Sequence, residues 1–450
     1  MSQLTITEID SLSSLSKYRD KYQSLLKSIG RSDSMYYDLD FMDAMNPYFL
    51  ADDNSGIGKR LYFLLAFRGE ELIGVAPLVR EKKRISRFGV RRIYNYGETN
   101  DSLMVSFPQC LARPHEKPEC IAAFVNYLND HSYDWDIVDL GYLFLADEIE
   151  LYRTRVPGCF IVPDPMKCHA ADVRLGFDNF IQAISPKHRR NFRRSREKLE
   201  SSHRDVQFLK TNQLTESQLK EIEALHVRRQ QSLRKVGIER NSLFDVPASK
   251  KAFKDSDDVL SRKQLSRHYL LYADGRLIAF QLCYRHRDTT YFQLIAMDDD
   301  YRQYSPAKLL VLFAYQEEAQ DGVKEINLLL GTNPLKQQFG KQETIHYRAN
   351  WTSPRLFSIL RVGLWRATQR LKARLKKRQK NKQPNSTVAS SKTVANPTNT
   401  SDTIRGSQTA RKSPSDQRGT TPTTNRNIPA CLLETETTLS TDSDLTSRCP

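Results

Sequence analysis

The stretch from residue 291 to residue 340 restricts the fold more than any other part of the chain, because its apolar period changes twice. Residues 291–297 are aromatic and branched, as a buried strand is. Residues 298–304 are a polar break. Ser305 stands where an N-cap belongs, with Pro306 at the first helical position. Leu309, Leu310, Leu312, Phe313 and Ala319 follow at helical spacing, and Asp321-Gly322 ends the helix. Residues 325–330 read as a second short strand. Gly331-Thr332-Asn333-Pro334 then turns the chain into a loop carrying Lys336 and Lys341.

The junction at Ser305 has a chemistry of its own. A helix start leaves backbone N–H groups unpaired and aims partial positive charge at the preceding loop, which suits a phosphate. Arg302 and Lys308 flank the junction and add full charges. Arg302, Ser305, Pro306, Ala307, Lys308 and Leu309 are therefore the candidate anion cradle. A Ser-Pro helix start taken alone does no more than cap a helix; the order of the elements around it is the stronger signal.

That order resembles the motif with which GNAT acyltransferases hold the pyrophosphate of acetyl-CoA. The residues are similar to those of the CelD/BcsL-like branch, double-GNAT proteins linked to exopolysaccharide and cellulose synthesis and related to the FemABX enzymes. The likeness rests on Asp298, Tyr301-Arg302, Ser305-Pro306, Leu309-Leu310, Gly331, Lys336 and Phe339-Gly340. The chain departs at Ala307, where the family has Gly, at Asn327 for Asp, and at Leu335 for an aromatic residue. The resemblance spans residues 1–350. It implies mixed α/β sheets in two tandem GNAT-like domains, an acetyl-CoA or other acyl-CoA co-substrate, and a small-molecule or saccharide acceptor.

The residues point to a duplication independently. The segment LYFLLAFRGEELIGVAPLV at 61–79 has a near-copy, HYLLYADGRLIAFQLCY, at 268–284. Each has an apolar strand, a charged Gly-containing turn and a second apolar strand, and each follows a long amphipathic helix. The expected domains are 1–160, serving acceptor binding or support, and 161–352, the acyl-CoA-binding and catalytic unit. A basic amphipathic helix at 353–380 and a disordered tail at 381–450 follow. Before the helix near 119–129 stands Pro114-His115-Glu116, with no Ser-Pro-small junction, so the first domain is expected to lack a phosphate cradle.

Smaller elements read as follows. Residues 4–9 form a strand, 12–29 a helix, 36–50 a short aromatic helix and 80–92 a basic turn. Residues 169–175 form a strand, 177–202 a helix, 206–210 a strand and 215–234 a helix.

Charge is unevenly placed. Of the formal +16, ten Lys/Arg without one acid lie in 353–380, and residues 381–450 are net +2. The remaining +4 on residues 1–352 is no signature of nucleic-acid binding. Seven scattered cysteines with no CxxC fit reduced thiols of a cytoplasmic protein. No metal site is expected. The polar N-terminus is unlike a signal peptide, and no apolar run approaches ~20 residues. The expected location is cytoplasmic, with peripheral association at the inner membrane face through 354–380. Residues 381–450 are too polar to offset their chain entropy.

Two basic stretches remain. Residues 185–204 carry eight Lys/Arg, a solvated helix face or a landing surface for an anion. Residues 356–375 place Leu356, Phe357, Leu360, Leu364, Ala367, Leu371 and Leu375 in one stripe beside Arg and Lys; such a helix lies on an anionic membrane or docks on the domain, and docking of its first half is the favoured expectation.

The leading expectation is N- or O-acyl transfer from acyl-CoA. Strand ends at 296–297 and 329–330 would hold the pantetheine, and proximity would supply much of the rate. Asp298 and Lys336 are the first candidates for catalysis. Tyr301 is a possible proton donor to the thiolate, and His226 a further base. The alternatives are a FemABX-like transferase using aminoacyl-tRNA, the one reading that needs nucleic acid, and a non-catalytic scaffold.

Overall fold

A computed structural model describes residues 4–50, 58–85, 88–97, 110–143, 146–238 and 241–382. One sequence reading, the tail, lies outside the described residues beyond 382. Residues up to Gln383 form one compact unit.

The first lobe opens with β1 (Thr5–Ile9), α1 (Leu12–Ser16), α2 (Arg19–Ile29) and α3 (Leu39–Phe49). Its hairpins are β2 (Gly58–Arg68), β3 (Glu71–Ile85) and β4 (Phe88–Asn95). A short β5 (Leu111–Ala112), α4 (Lys117–Asp130), β6 (Ile137–Leu143), α5 (Ala146–Arg155) and β7 (Phe160–Asp172) complete it. Two linking helices follow, α6 (Phe177–Ala183) and α7 (Pro186–Ser202). The second lobe runs β8 (Val206–Thr211), α8 (Glu216–Lys235), α9 (Pro247–Arg262), β9 (Ser266–Ala273), β10 (Arg276–His286) and β11 (Thr289–Met297). It continues through α10 (Pro306–Gln320), β12 (Glu325–Leu330), α11 (Pro334–Phe339) and β13 (Gln342–Thr352), and α12 (Leu356–Lys382) follows.

All strands join one sheet in the order β1-β2-β3-β4-β6-β13-β7-β12-β11-β10-β9-β8, with β5 on β3. Read from either edge, the order is the same. Each lobe has three antiparallel hairpin steps, then a parallel pair bridged by a helix: β4 with β6 over α4, β11 with β12 over α10. The last strands are exchanged. β7, from the first lobe, pairs with β12 of the second; β13, from the second, pairs with β6 of the first. The two exchanged strands pair with each other at the centre.

The repeated hairpins match in detail. Ile73 is an extra residue bulged between Leu72 and Gly74, and Ile278 is the same bulge between Leu277 and Ala279. Gly74 is needed where it stands, since a Cβ there would lie 2.6 Å from Cys120 Sγ on α4. The turn before β10 puts Asp274 and Gly275 both at positive φ, 50° and 77°, the geometry that suits a two-residue hairpin.

Apolar side chains fill both faces of the sheet. On one face, α1–α3 and α8–α9 share a single core in which Tyr36 and Met42 of the first lobe meet Phe253 and Tyr291 of the second. Tyr36 Oη donates to Gln293 Oε1 at 3.3 Å, and Lys263 on α9 holds Asp40 on α3 at 2.8 Å. On the other face each lobe has its own core, and the exchanged strands cross into it. Trp351 of β13 is buried against Trp135 and Tyr152 of the first lobe, at ring separations of 6.4 and 6.1 Å. Ala171 of β7 is buried in the second lobe with α10.

Several sequence readings change. The helix expected over 12–29 breaks after Ser16, where Ser11 caps a short first helix and the chain turns before α2. The basic turn at 80–92 is the paired end of the β3–β4 hairpin, in register from Leu78↔Asn95 outward. Two of its charges are held by the fold: Arg80 lies over the Tyr62 ring at 4.1 Å, and Arg92 pairs with Asp139 at 2.7 Å. The strand expected at 169–175 begins at Phe160 and ends at Asp172. β13 was not expected at all, because its alternation is masked by the charged and polar residues of QETIHYRANWT.

The exchange couples the lobes. Trp351→Ala should cost about 3–5 kcal/mol, the scale for emptying a large aromatic site. Unfolding in urea, followed by fluorescence and circular dichroism, should remain one transition with both probes coincident. Two separated transitions would mean that the lobes hold together independently of this strand.

Candidate active site

β11 and β12 pair over only three residues, Thr289↔Glu325, Thr290↔Ile326 and Tyr291↔Asn327. Beyond them the strands diverge. β11 stays paired with β10 as far as Met297↔Ala279. Its other edge, facing β12, has no strand partner beyond Tyr291 among the described residues. The result is a slot lined by backbone N–H and C=O groups, which an extended chain can enter as an added strand.

The β12 side of the slot is held open by local chemistry. Leu329 adopts φ 60°, rare for a residue with a branched side chain. Asn327 Oδ1 accepts from the Leu329 N–H at 2.9 Å and so fixes this turn. Lys336 Nζ donates to the carbonyls of Leu329, at 3.3 Å, and Leu330. Lys336 reaches them from α11, whose N-cap Asn333 accepts from the Lys336 N–H at 2.9 Å. The expected loop after Pro334 is thus one turn and a half of helix. Gly340 closes it, because a Cβ there would lie 2.8 Å from His169 Cβ and 2.9 Å from Leu328 Cδ1. The first lobe has the same bulge, with Tyr142 at φ 59°.

The start of α10 differs from its sequence reading. Ser305 is at φ 53°, ψ 47°, and its side chain makes no capping bond. The tight turn of residues Asp299–Tyr304 runs straight into the helix, and a residue before proline avoids the right-handed α region. Reversal therefore falls on Ser305 at a cost of about 1 kcal/mol. Its N–H donates to Arg302 O, and its carbonyl accepts from Lys308 N–H at 3.0 Å and Leu309 N–H at 3.3 Å. Pro306 has no N–H. Ala307 is left as the first-turn amide that takes no backbone carbonyl among the described residues. Lys308 is half-exposed beside it, while Arg302 is 69% exposed and lies 3.4 Å from Asp299. Pro306 and Leu309 are buried and anchor the helix. The junction can still receive a phosphate, through one amide, a helix dipole and two cations.

The corresponding helix start in the first lobe is closed. Glu116 is the N-cap residue of α4, 3% exposed, its carboxylate held by Arg68 at 3.0 Å and Arg113 at 3.2 Å. Glu116 makes no capping bond of its own, so this helix start carries a closed ion cluster rather than an open cradle.

Other expected residues are engaged in hydrogen bonds, ion pairs and ring packing. Asp298 is buried at the end of β11. Its Oδ1 accepts from the Asp300 N–H at 3.1 Å, and its Oδ2 meets Arg276 at 2.5 Å and Arg228 at 3.5 Å. Both oxygens are committed, so Asp298 builds the turn before α10. Tyr301 packs on His203 at 5.3 Å and under Arg276 at 5.5 Å. His226 is buried among Phe244 and Phe280, with Nδ1 at 2.7 Å from Ser242 Oγ and Nε2 at 3.2 Å from Gln230. Burial pushes its imidazole down to about 4. It is a structural histidine.

On the α2–α3 face of the sheet, a cavity of about 510 Å³ opens where β11 and β12 part. Tyr291, Glu325, Asn327, Cys168, His346 and Thr344 line its floor; Arg31, Asp33, Lys117 and Asp147 of the first lobe line its wall. Burial pushes the Cys168 thiol up to about 12 and lowers the His346 imidazole to about 4, so both are neutral near pH 7. Burial also raises the Glu325 carboxyl above its usual range, and Asn327 Nδ2 lies 3.4 Å from its Oε1. Sequence reading missed Glu325 and His346. Glu325 opens an ordinary apolar strand, His346 lies on the unexpected β13, and only the exchange of strands brings them together. Among the described residues, no group of three or more His, Cys, Asp or Glu is placed to hold a metal ion.

The basic helix α7 is anchored by buried Phe192 and Leu199. Part of its charge is neutralised along its own length, Arg196 to Glu200 at 2.8 Å and Arg193 to Glu197 at 3.7 Å.

This site lies in a recognised sequence class. Residues 186–337 match the acetyltransferase (GNAT) domain family. Comparison with curated proteins gives no match. Among solved structures, FemX superposes with a TM-score of 0.52 at 10% identity, covering 74% of this chain and 96% of that one. A tandem GNAT protein from the clavulanic acid biosynthesis pathway gives 0.43 at 9% identity, over 78% and 99%. At such identities the FemX likeness concerns the fold alone. The second lobe thus carries a match to the acetyltransferase (GNAT) domain family, and the chain shares the fold of FemX.

The two depressed histidines make stability depend on pH. Unfolded, each takes a proton near 6.5; folded, each stays neutral down to about 4. Between those values the unfolded chain binds more protons, so stability falls as pH falls through that window. Urea midpoints measured from about pH 7 to pH 4 should decline, and His346→Gln should make the decline shallower. An unchanged slope would show that His346 does not carry its share.

Proposed function

We propose that the chain transfers an acyl group from acyl-CoA, acetyl-CoA in the first instance, to an amine or hydroxyl of a small-molecule or saccharide acceptor. The observation that carries this is the contrast between the lobes. The second has an open slot beside an unblocked helix start; the first has the same bulge but a helix start filled by Glu116. The first lobe then serves to wall the acceptor cavity.

In this reading the pantetheine arm lies along the free edge of β11, and its pyrophosphate meets Ala307 N–H and Lys308. Lys336 does not touch the acyl group; it holds the carbonyls that shape the slot. The acceptor occupies the cavity across the sheet. Its nitrogen or oxygen attacks the thioester carbonyl carbon, the carbon–sulfur bond breaks, and CoA leaves as a thiolate. Glu325 takes the proton from the attacking group. A carboxyl raised by burial suits that task better than Asp298, which is already engaged. The motif likeness to the CelD/BcsL-like branch favours a saccharide acceptor of exopolysaccharide or cell-envelope synthesis, and the neutral buried thiols favour the cytoplasm.

A second reading keeps the fold and changes the donor. The motif likeness to a branch related to the FemABX enzymes and the exposed arginines of α7 favour an aminoacyl-tRNA as donor.

Calorimetric titration with CoA and with acetyl-CoA separates these readings. Binding is expected, with Lys308→Glu weakening it. Glu325→Gln should leave CoA affinity unchanged and lower turnover of the identified acceptor by about 100-fold. No binding of either thiol or thioester, together with a salt-dependent gel shift by tRNA, would transfer the assignment to the second reading. Neither form of binding would leave a scaffold.

A further inference from the structure

The last described helix turns its apolar side to solvent. α12 rests on the first lobe through Ser358, Val362, Trp365 and Arg366. Ser358 Oγ donates to the Asp136 carboxylate at 2.6 Å, and Arg366 donates to Asn350 Oδ1 at 3.0 Å. Val362 is buried with Val90 and Ile137, and Trp365 packs against them. At 3.6 residues per turn these four share one side of the helix. Leu356, Phe357, Leu360, Leu364, Leu371 and Leu375 fall on the opposite side, in a stripe about 100° wide. They are 49–75% exposed. A contiguous apolar surface of this kind is rare on a protein with nothing to cover it.

Three observations say what covers it. The segment 353–380 holds ten Lys/Arg and no acid. Arg370 and Arg374 are exposed along one border of the stripe. The sheet beside the helix exposes apolar side chains too: Phe160 and Val162 of β7 are 62% and 45% exposed, and Phe160 stands opposite Asn350, the residue that Arg366 holds. A second copy of this chain would bring the same positive charge against itself. A surface with negative headgroups above an apolar interior complements both the charge and the stripe. α12 is not a spanning segment, since no described helix is long and apolar enough to cross a membrane.

We propose that α12 is a landing helix for an anionic lipid bilayer. It lies in the plane of the headgroups with Leu360 and Leu364 inserted, while its docked side holds the first lobe against that surface. The proposal does not depend on the acyl-transfer reading.

Flotation of the full chain with vesicles tests it. Binding to phosphatidylcholine vesicles containing phosphatidylglycerol should exceed binding to pure phosphatidylcholine by about tenfold or more, and added salt should weaken it. The double variant Leu360→Gln/Leu364→Gln alters only exposed positions. It should lower binding about tenfold or more, with unfolding midpoint and solution mass unchanged. Equal binding to both vesicle types, or unchanged binding of the double variant, overturns the proposal. So does a wild-type dimer that the double variant converts to a monomer while neither binds vesicles, because the stripe would then cover a second copy.

Discussion

Trp351 is buried in the core of the first lobe, although the strand that carries it follows the second lobe in sequence. The rest of the molecule depends on that placement. β13 leaves the second lobe to lie between β6 and β7, and β7 leaves the first lobe to lie between β13 and β12. Each lobe would otherwise end in an open edge beside its splayed parallel pair, with unpaired backbone groups and an exposed apolar face. The exchange seals both edges with one pair of strands. It also joins the two sheets into one and brings Arg31 and Lys117 of the first lobe over the floor formed by Glu325 and Asn327.

The lobes show how one architecture supports unlike tasks. Both keep the bulged hairpin, the parallel pair over a helix and a residue at φ near 60° in the last strand of that pair. They differ in what stands at the start of the crossover helix. In the first lobe Glu116 and two arginines form a closed ion cluster there. In the second, Asp298, Asp299 and Asp300 precede the helix, but Arg276, Arg228 and Arg229 draw all three carboxylates aside. Ala307 and Lys308, both half-buried, stand at that helix start. Arginines recruited from α8 and β10 thus decide the local charge at the anion site, far from it in sequence.

Burial sets the chemistry of the cavity floor. Cys168 and His346, both reactive in water, are held neutral by desolvation. The same effect makes Glu325 more basic. The floor therefore presents neither a thiolate nor an imidazolium near pH 7, and Arg31 pairs with Asp33, and Lys117 with Glu148, beside it.

The amino-acid sequence by itself determined the class of fold, the duplication and the place of the helix junction, because each is written in local periods. Alternation marks Leu61 to Val79 and its copy, helical spacing marks Leu309 to Ala319, and Gly340 marks a close approach that no Cβ survives. The stripe on α12 was equally legible, since it needs only one helix. What the tertiary structure alone decided is which lobe each of β7 and β13 joins, that Asp298 is locked between arginines, and that Glu325 and His346 line one cavity. These outcomes depend on pairings between residues hundreds of positions apart, and local sequence carries no record of such partners: a strand edge bonds to whichever backbone the whole fold brings beside it.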